Sequence, residues 1–66
     1  MDEKTRAFLT ELGALLEKHD FYIEVKEEGH AAWISVGDRW KYEIRAEFDP
    51  FEYLDKKTIE KYLHDN

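Results

Sequence analysis

Residues whose types could support catalysis are few in this 66-residue chain. The clearest acid pair is Glu24 and Glu43, which the expected strand pairing places on either side of Trp33, about 10 Å apart at about 4.8 Å between strands. Two carboxylates beside an aromatic ring are the residue types of a glycoside-cleaving site. Such an enzyme holds its acids across a pocket and raises the pKa of one of them by burial, and an open sheet face supplies neither condition. We therefore expect a solvated face with weak cross-strand ion pairs.

The remaining reactive residues do not form a catalytic or metal-binding pattern. His19, His30 and His64 lack the i, i+4 spacing of a metal pair on a helix. Ser35, the single serine, falls in the middle of an expected strand rather than on the sharp turn that exposes a nucleophile. The sequence contains no glycine-rich phosphate loop. We expect no catalytic residue, no metal and no cofactor, and we interpret the chain as a non-enzyme.

The chain is acidic, with 16 Asp and Glu against 10 Lys and Arg and a net charge of −6. This balance repels nucleic acid and anionic membranes, so a charged partner is expected to be basic. A net charge of about 2 to 8 also keeps a small domain in solution without any further role. The absence of cysteine fits a reducing compartment, and no apolar run is long enough for a signal peptide or a membrane span. We expect a cytoplasmic protein.

Residues 2–19 have the periodicity of an amphipathic helix. Asp2 or Thr5 is expected to cap its free N–H groups. Gly13 interrupts this pattern, either because another backbone approaches closely there or because a glycine is tolerated at the edge of the apolar stripe, and we favour the second explanation. The stripe consists of Phe8, Leu9, Leu12, Leu15 and Leu16.

A second helix is expected to begin at Asp49, which is followed by a proline and then by Glu52 three residues after the cap. This is the arrangement of a capping box. The helix is predicted to run to about His64, although Leu54 and Asp55 could form a break between a short turn and a later helix.

Three strands are predicted between the helices. Residues 21–25 alternate apolar and polar side chains and end at a turn at Glu28-Gly29. Residues 31–48 alternate in the same way around Gly37-Asp38, and a loop of residues 37–39 brings apolar residues opposite one another. The resulting cross-strand layers are Phe21 with Val36 and Trp40, Ile23 with Ile34 and Tyr42, and Val25 with Ala32 and Ile44.

The predicted fold is α+β, in the order α-β-β-β-α, with a three-stranded antiparallel meander and both helices packed on one face. Residues 1–66 are expected to form a single small acidic domain. The opposite sheet face is left open and carries Trp33 with Tyr22, Glu24 and Glu43. Because tryptophan and tyrosine are enriched in binding hot spots, these residues are the candidate site for a protein partner. An alternative of equal weight is that Trp33 lies flat over the methylene groups of the two glutamates.

Two resemblances bear on function. The order of elements, together with Lys56-Lys57, resembles the double-stranded-RNA-binding domain, and this resemblance implies phosphate contacts through Lys56, Lys57 and Lys61. Asp55 and Glu60 flank the pair in this chain, whereas that family continues into an alanine-rich helix. In size and charge the chain also resembles accessory proteins of bacteria and their phages, some of which present carboxylates to nucleic-acid-binding proteins in place of phosphates.

We expect a small acidic interaction module, an inhibitor or regulator, that binds a protein partner with a basic surface, such as a nucleic-acid-binding protein. The contact is predicted on the open sheet face, and a homodimer through that face is a further arrangement. A weak double-stranded nucleic-acid-binding domain is the alternative, and an unrecognised small enzyme is the third reading.

Overall fold

The computed structural model describes residues 1–24, 33–49 and 53–65. The pairing within these ranges is antiparallel and gives a two-stranded sheet, β1 with β2. The α+β class and the antiparallel sheet are therefore confirmed, whereas the third strand of the predicted meander is not seen among the described residues. The elements are α1 (Glu3–His19), β1 (Ile34–Asp38), β2 (Glu43–Phe48) and α2 (Lys56–Asp65).

α1 forms where the sequence predicts it, because caps and periodicity agree. The Asp2 carboxylate accepts a hydrogen bond from Thr5 N–H at 2.7 Å, which satisfies a free donor of the first turn. Asp20 adopts a left-handed conformation and ends the helix. Only part of the predicted apolar stripe is buried, since Phe8 and Leu15 are exposed.

The described part of the predicted first strand pairs with a different segment. Ile23 forms an isolated antiparallel bridge with Leu54, and its N–H and carbonyl make hydrogen bonds of 2.9 and 2.8 Å to that residue. The bridge ties the end of α1 to the segment before α2. Val25, the turn at Glu28-Gly29 and Ala32 lie outside the described residues.

A bulge in β2 changes which side chains face the core. Val36 pairs with Ala46, but the next residue, Gly37, pairs with Ile44, so Arg45 is an extra residue in β2. A bulge of this kind shifts the alternation of side chains by one position. Ala46 is buried and Arg45 is half-buried, whereas Ile44 is 57% exposed. The bulge therefore turns an arginine inward and an isoleucine outward.

The loop between β1 and β2 consists of residues 39–42, and the predicted loop of residues 37–39 is wrong. Tyr42 N–H donates to the carbonyl of Asp38 at 2.7 Å, which closes the loop. Trp40 and Tyr42 lie on this loop and are 89% and 92% exposed. The predicted layers that buried Trp40 beside Val36 and Tyr42 beside Ile34 are wrong, because the loop ends the alternation from which they were inferred.

The core lies between the two helices and the inward face of the sheet. Gly13 is buried against α2, where a Cβ atom would lie 3.6 Å from Cγ2 of Ile59 and 3.7 Å from Cγ of Lys56. These neighbours are side-chain atoms at ordinary van der Waals distances, so no close backbone approach requires a glycine at this contact between the helices. The buried apolar residues are Leu9, Leu16, Ala46, Phe48, Leu54 and Ile59.

α2 begins at Lys56, after the second of the two predicted starts. The Asp55 carboxylate accepts a hydrogen bond from Thr58 N–H at 2.9 Å, and the Thr58 hydroxyl donates to the carbonyl of Tyr53 at 2.7 Å. Asp55 is thus the N-cap, and the prediction that Asp49 caps this helix is wrong. Residues 50–52, on which the predicted capping box depended, lie outside the described part of the chain.

Candidate functional site

The residues of the predicted binding site do not form one cluster. Trp33 lies just before β1, at the end of the hairpin where β1 starts, whereas Glu43 pairs with Asp38 at the other end. The spacing of about 3.3 Å per strand residue separates the two ends by about 16 Å. Tyr22 lies beside the Ile23 bridge, with its ring centroid 4.8 Å from that of Tyr53.

The glutamates of the predicted site differ in their surroundings. Glu24 is half-buried. The Glu43 carboxylate lies 3.2 Å from Nη2 of Arg45, so its described ion pair is with the bulge residue. Trp33 is 56% exposed. The role of these residues in binding stays a prediction, but Glu43 and Trp33 belong to different ends of the hairpin.

Among the residues that the structure describes, the most exposed aromatic side chains lie on residues 39–42, which we call the hairpin tip. Asp38 organises this loop, because its Oδ1 accepts hydrogen bonds from Trp40 N–H at 2.8 Å and from Lys41 N–H at 3.2 Å. These two bonds and the closing bond from Tyr42 N–H fix the backbone on three successive residues. Tyr42 has a φ of 55°, a region that bulky residues seldom occupy. These hydrogen bonds therefore hold the backbone of the tip in a fixed conformation.

An ion pair joins Asp38, the residue before the tip, to the start of α1. Lys4 Nζ lies 3.2 Å from Oδ2 of Asp38. The Asp38 carboxylate is only 9% exposed, and hydrogen bonds from the backbone N–H of Trp40 and then from the Lys4 ammonium hold its pKa below the usual value. Protonation of Asp38 would weaken both its hydrogen bonds to the loop and its ion pair with Lys4.

Arg45 is the second link between the sheet and α1. Its Nη1 lies 3.6 Å from the Asp2 carboxylate, and its Nη2 lies 3.9 Å from that of Asp38. The Thr5 hydrogen bonds, and to a smaller extent Arg45, lower the pKa of Asp2. The Nε of Arg45 is buried and has no hydrogen-bond acceptor within the described residues. The bulge thus places one guanidinium among three carboxylates, with Glu43 as the nearest.

A groove of about 340 Å³ opens between the first half of α1 and the hairpin. Its walls combine exposed aromatic rings with cationic side chains, an arrangement suited to noncovalent binding. The apolar walls come from Phe8, Val36 and Trp40, and the cations are Lys4, Arg39 and Arg45.

Sequence reasoning missed this site because it assigned Trp40 and Tyr42 to the core. The signal that could have revealed this site is Asp38 itself, at the start of the segment that contains Trp40 and Tyr42. Aspartate commonly accepts hydrogen bonds from the next backbone N–H groups and so starts a loop. The alternation alone did not distinguish this loop from a continuing strand.

Other kinds of site find no support in the described part of the chain. No group of three or more His, Cys, Asp or Glu residues there is placed to hold a metal ion. None of its helices is long and apolar enough to cross a membrane. His19 packs against Phe21, with the ring centroids 6.0 Å apart.

The chain matches no protein-family model, no curated protein and no solved structure.

Proposed function

We propose that the protein is a non-enzymatic interaction module that binds a protein partner through the hairpin tip and thereby inhibits or regulates that partner. The observation that carries this proposal is the exposure of Trp40 and Tyr42, at 89% and 92%, on a loop held by Asp38. Exposing two large aromatic side chains to water has no benefit for folding, whereas such residues commonly dominate binding energy.

The order of the tip supports the same conclusion. A loop that is already fixed loses little conformational freedom when it binds, so more of the contact energy appears as affinity. Arg39 adds the third residue type that is enriched in hot spots. Ile44, turned outward by the bulge, extends the apolar surface beyond Tyr42.

Trp33, the sequence-based candidate, supplies a matched control at the other end of the hairpin. The test is capture of a partner from extracts of the cells that make the protein, using the wild type, a Trp40→Ala/Tyr42→Ala variant and Trp33→Ala. The tip variant is expected to lose the captured protein, and Trp33→Ala is expected to retain it. Circular dichroism checks that both variants are folded.

Rate measurements with the captured partner give the second half of the test. Trp40→Ala should cost about 2 kcal/mol or more of binding energy, mostly as faster dissociation. Loss of binding on Trp33→Ala, with unchanged binding by the tip variant, would move the site back to the Trp33 face. Capture of no specific protein would contradict the interaction module itself.

Duplex binding, the alternative predicted from sequence, depends on cationic side chains at the start of α2. Lys56 Nζ lies 2.9 Å from the Glu17 carboxylate and 3.7 Å from that of Glu60, so carboxylates already neutralise much of its charge. Fewer available cations mean fewer phosphate contacts and weaker binding. A mobility assay with duplex RNA and DNA at low salt tests this alternative, and a retarded band would favour it.

A further inference from the structure

The groove beside the hairpin tip offers hydrogen-bond donors rather than acceptors. Asp38 is the one acid among the described residues that line it, and this carboxylate already accepts hydrogen bonds from Trp40 N–H, Lys41 N–H and Lys4. Arg39 has no ion pair with any described residue, so the donors of its guanidinium are free for a ligand. A ligand group that only accepts hydrogen bonds, a carboxylate, is complementary to this composition.

The apolar part of the groove lies next to these donors. Phe8 on α1 is 46% exposed, and Trp40 on the hairpin tip faces the same opening. Val36 contributes a half-buried apolar side chain between them. A volume of about 340 Å³ is at the lower end of the range for ligand sites, which suits one or two side chains rather than a large cofactor.

We infer that this groove binds an acidic peptide segment of the protein partner. An apolar side chain of the segment packs between Phe8 and Trp40, and a neighbouring carboxylate pairs with Arg39 and Lys4. The inference rests on the proposed function and gives the contact its chemistry. Two electrostatic effects then act on the segment at different distances. The net charge of −6 repels it at long range, where salt screens the repulsion beyond about 8 Å, whereas the cations of the groove attract it on contact.

Two capped dipeptides that differ only in charge test this inference. Acetyl-Asp-Phe-amide and acetyl-Asn-Phe-amide are titrated into the ¹⁵N-labelled protein, and amide chemical shifts are followed by NMR. The acidic peptide is expected to shift the amides of Phe8, Gly37 and Arg39 and to bind about five-fold more tightly than its neutral counterpart. Equal binding of the two peptides, or shifts confined to another surface, would overturn the inference.

Arg39→Gln and Lys41→Gln form a matched pair of variants, since both remove one cation of the hairpin tip but only Arg39 lines the groove. Arg39→Gln is expected to remove most of the preference for the acidic peptide, with Lys4 supplying the remainder, and Lys41→Gln is expected to leave binding within about two-fold. The same loss in both variants would contradict a site in the groove and indicate general attraction to the tip.

The peptide titration and the partner capture fail independently. If the tip variant loses its partner but the two peptides bind equally, the proposed function stands and the acidic segment is wrong. If the acidic peptide binds selectively while capture does not depend on the tip, the groove is an acidic-peptide site and the proposed function of the tip is wrong.

Discussion

At the scale of single residues, Asp38 connects the loop after β1 to the start of α1, because its carboxylate binds Trp40 N–H, Lys41 N–H and Lys4. From the sequence it was placed inside the turn, and in the structure it is the last residue of β1 and the acceptor for the loop that follows. The error came from treating Gly37-Asp38 as a turn signal without asking which backbone groups the carboxylate would bind. Because its carboxylate holds the backbone of Trp40 in the loop, Asp38 also explains why the Trp40 side chain is exposed.

The pKa of Asp38 predicts how acid affects stability. Hydrogen bonds from the tip lower this pKa below 3.8, so the folded protein binds the proton more weakly than the unfolded chain. The resulting stabilisation is fully present above the unfolded pKa and is lost as the pH falls through the lower, folded pKa. We therefore expect the free energy of unfolding to be steady from pH 7 to about 5 and to decline below about pH 4.

Denaturant titrations followed by circular dichroism at several pH values check this dependence. Asp2 and Asp55 also have lowered pKa values, from hydrogen bonds of Thr5 and Thr58, so Asp38→Asn is expected to make the decline shallower without removing it. The asparagine retains an acceptor for Trp40 N–H but no longer titrates. An unchanged pH profile in Asp38→Asn would contradict the role of this carboxylate.

Gly13 gives a second prediction at this scale. A methyl group there would meet Ile59 at 3.6 Å, an ordinary van der Waals distance, and alanine favours a helix over glycine. Gly13→Ala should therefore raise the free energy of unfolding by up to about 1 kcal/mol. Gly13→Leu is the contrasting variant, because its larger side chain has no space against α2 and should destabilise. A destabilised Gly13→Ala would mean that the helices cannot accept even a methyl group.

At the scale of elements, local sequence signals predicted the bounds of an element correctly where all of them agreed. α1 was predicted to within a residue because its cap, periodicity and terminal charges agree on the same bounds. The sequence left two starts open for α2, and the structure has the later one, with Asp55 as the cap and the bridge between Ile23 and Leu54 directly before it. A contact between residues so far apart in sequence leaves no trace in local periodicity.

The cap of α2 can be tested at Asp55 itself. Asp55→Ala removes the acceptor of Thr58 N–H and should cost about 1 kcal/mol of stability, whereas Asp55→Asn keeps an acceptor at the cap and should cost clearly less. Urea unfolding monitored by circular dichroism measures both. Equal losses in the two variants would contradict the role of this hydrogen bond as the cap.

The hairpin shows a different limit of sequence reasoning. Ala46 and Phe48 are buried, and on their side of the bulge the observed burial follows the alternation of residues 31–48. Beyond Arg45 the same alternation points the wrong way for the apolar residues, and Ile44, Tyr42 and Trp40 were assigned to the core although they are exposed. A bulge reverses which side chains face the core, so an apolar residue beyond it looks like a core residue in the sequence although it points to solvent.

At the scale of the whole molecule, stability depends on a small core. Leu9 is completely buried, and its truncation to alanine should cost about 2 to 5 kcal/mol. The core of a domain of this size seldom supplies more than about 3 to 5 kcal/mol, so Leu9→Ala is expected to be largely unfolded. Leu15→Ala, on the exposed side of α1, is the control and should stay folded, as judged by the helical signal. A folded Leu9→Ala would show that the core has reserves elsewhere.

The candidate site was less predictable than the core. Composition directed attention to tryptophan and tyrosine, and of the two tryptophans the sequence pattern selected Trp33, because Trp40 fitted the buried phase of the predicted strand. The groove joins residues from α1 and the hairpin, and which side chains meet there depends on the bulge and on the ion pairs of Arg45. Neither feature has a signature in a single sequence.

The exposure of both tryptophans also determines what tryptophan fluorescence can report about the protein. Trp33 and Trp40 are 56% and 89% exposed, so their fluorescence in the folded protein should already be that of indole rings in water. Unfolding is therefore expected to change the emission wavelength little, which makes circular dichroism the better probe of stability. Binding should have the opposite effect, because a partner that covers the tip removes water from one indole and shifts its emission to shorter wavelength. In a Trp33→Phe variant that shift would come from Trp40 alone, and the intrinsic fluorescence would then report occupancy of the tip without any added label.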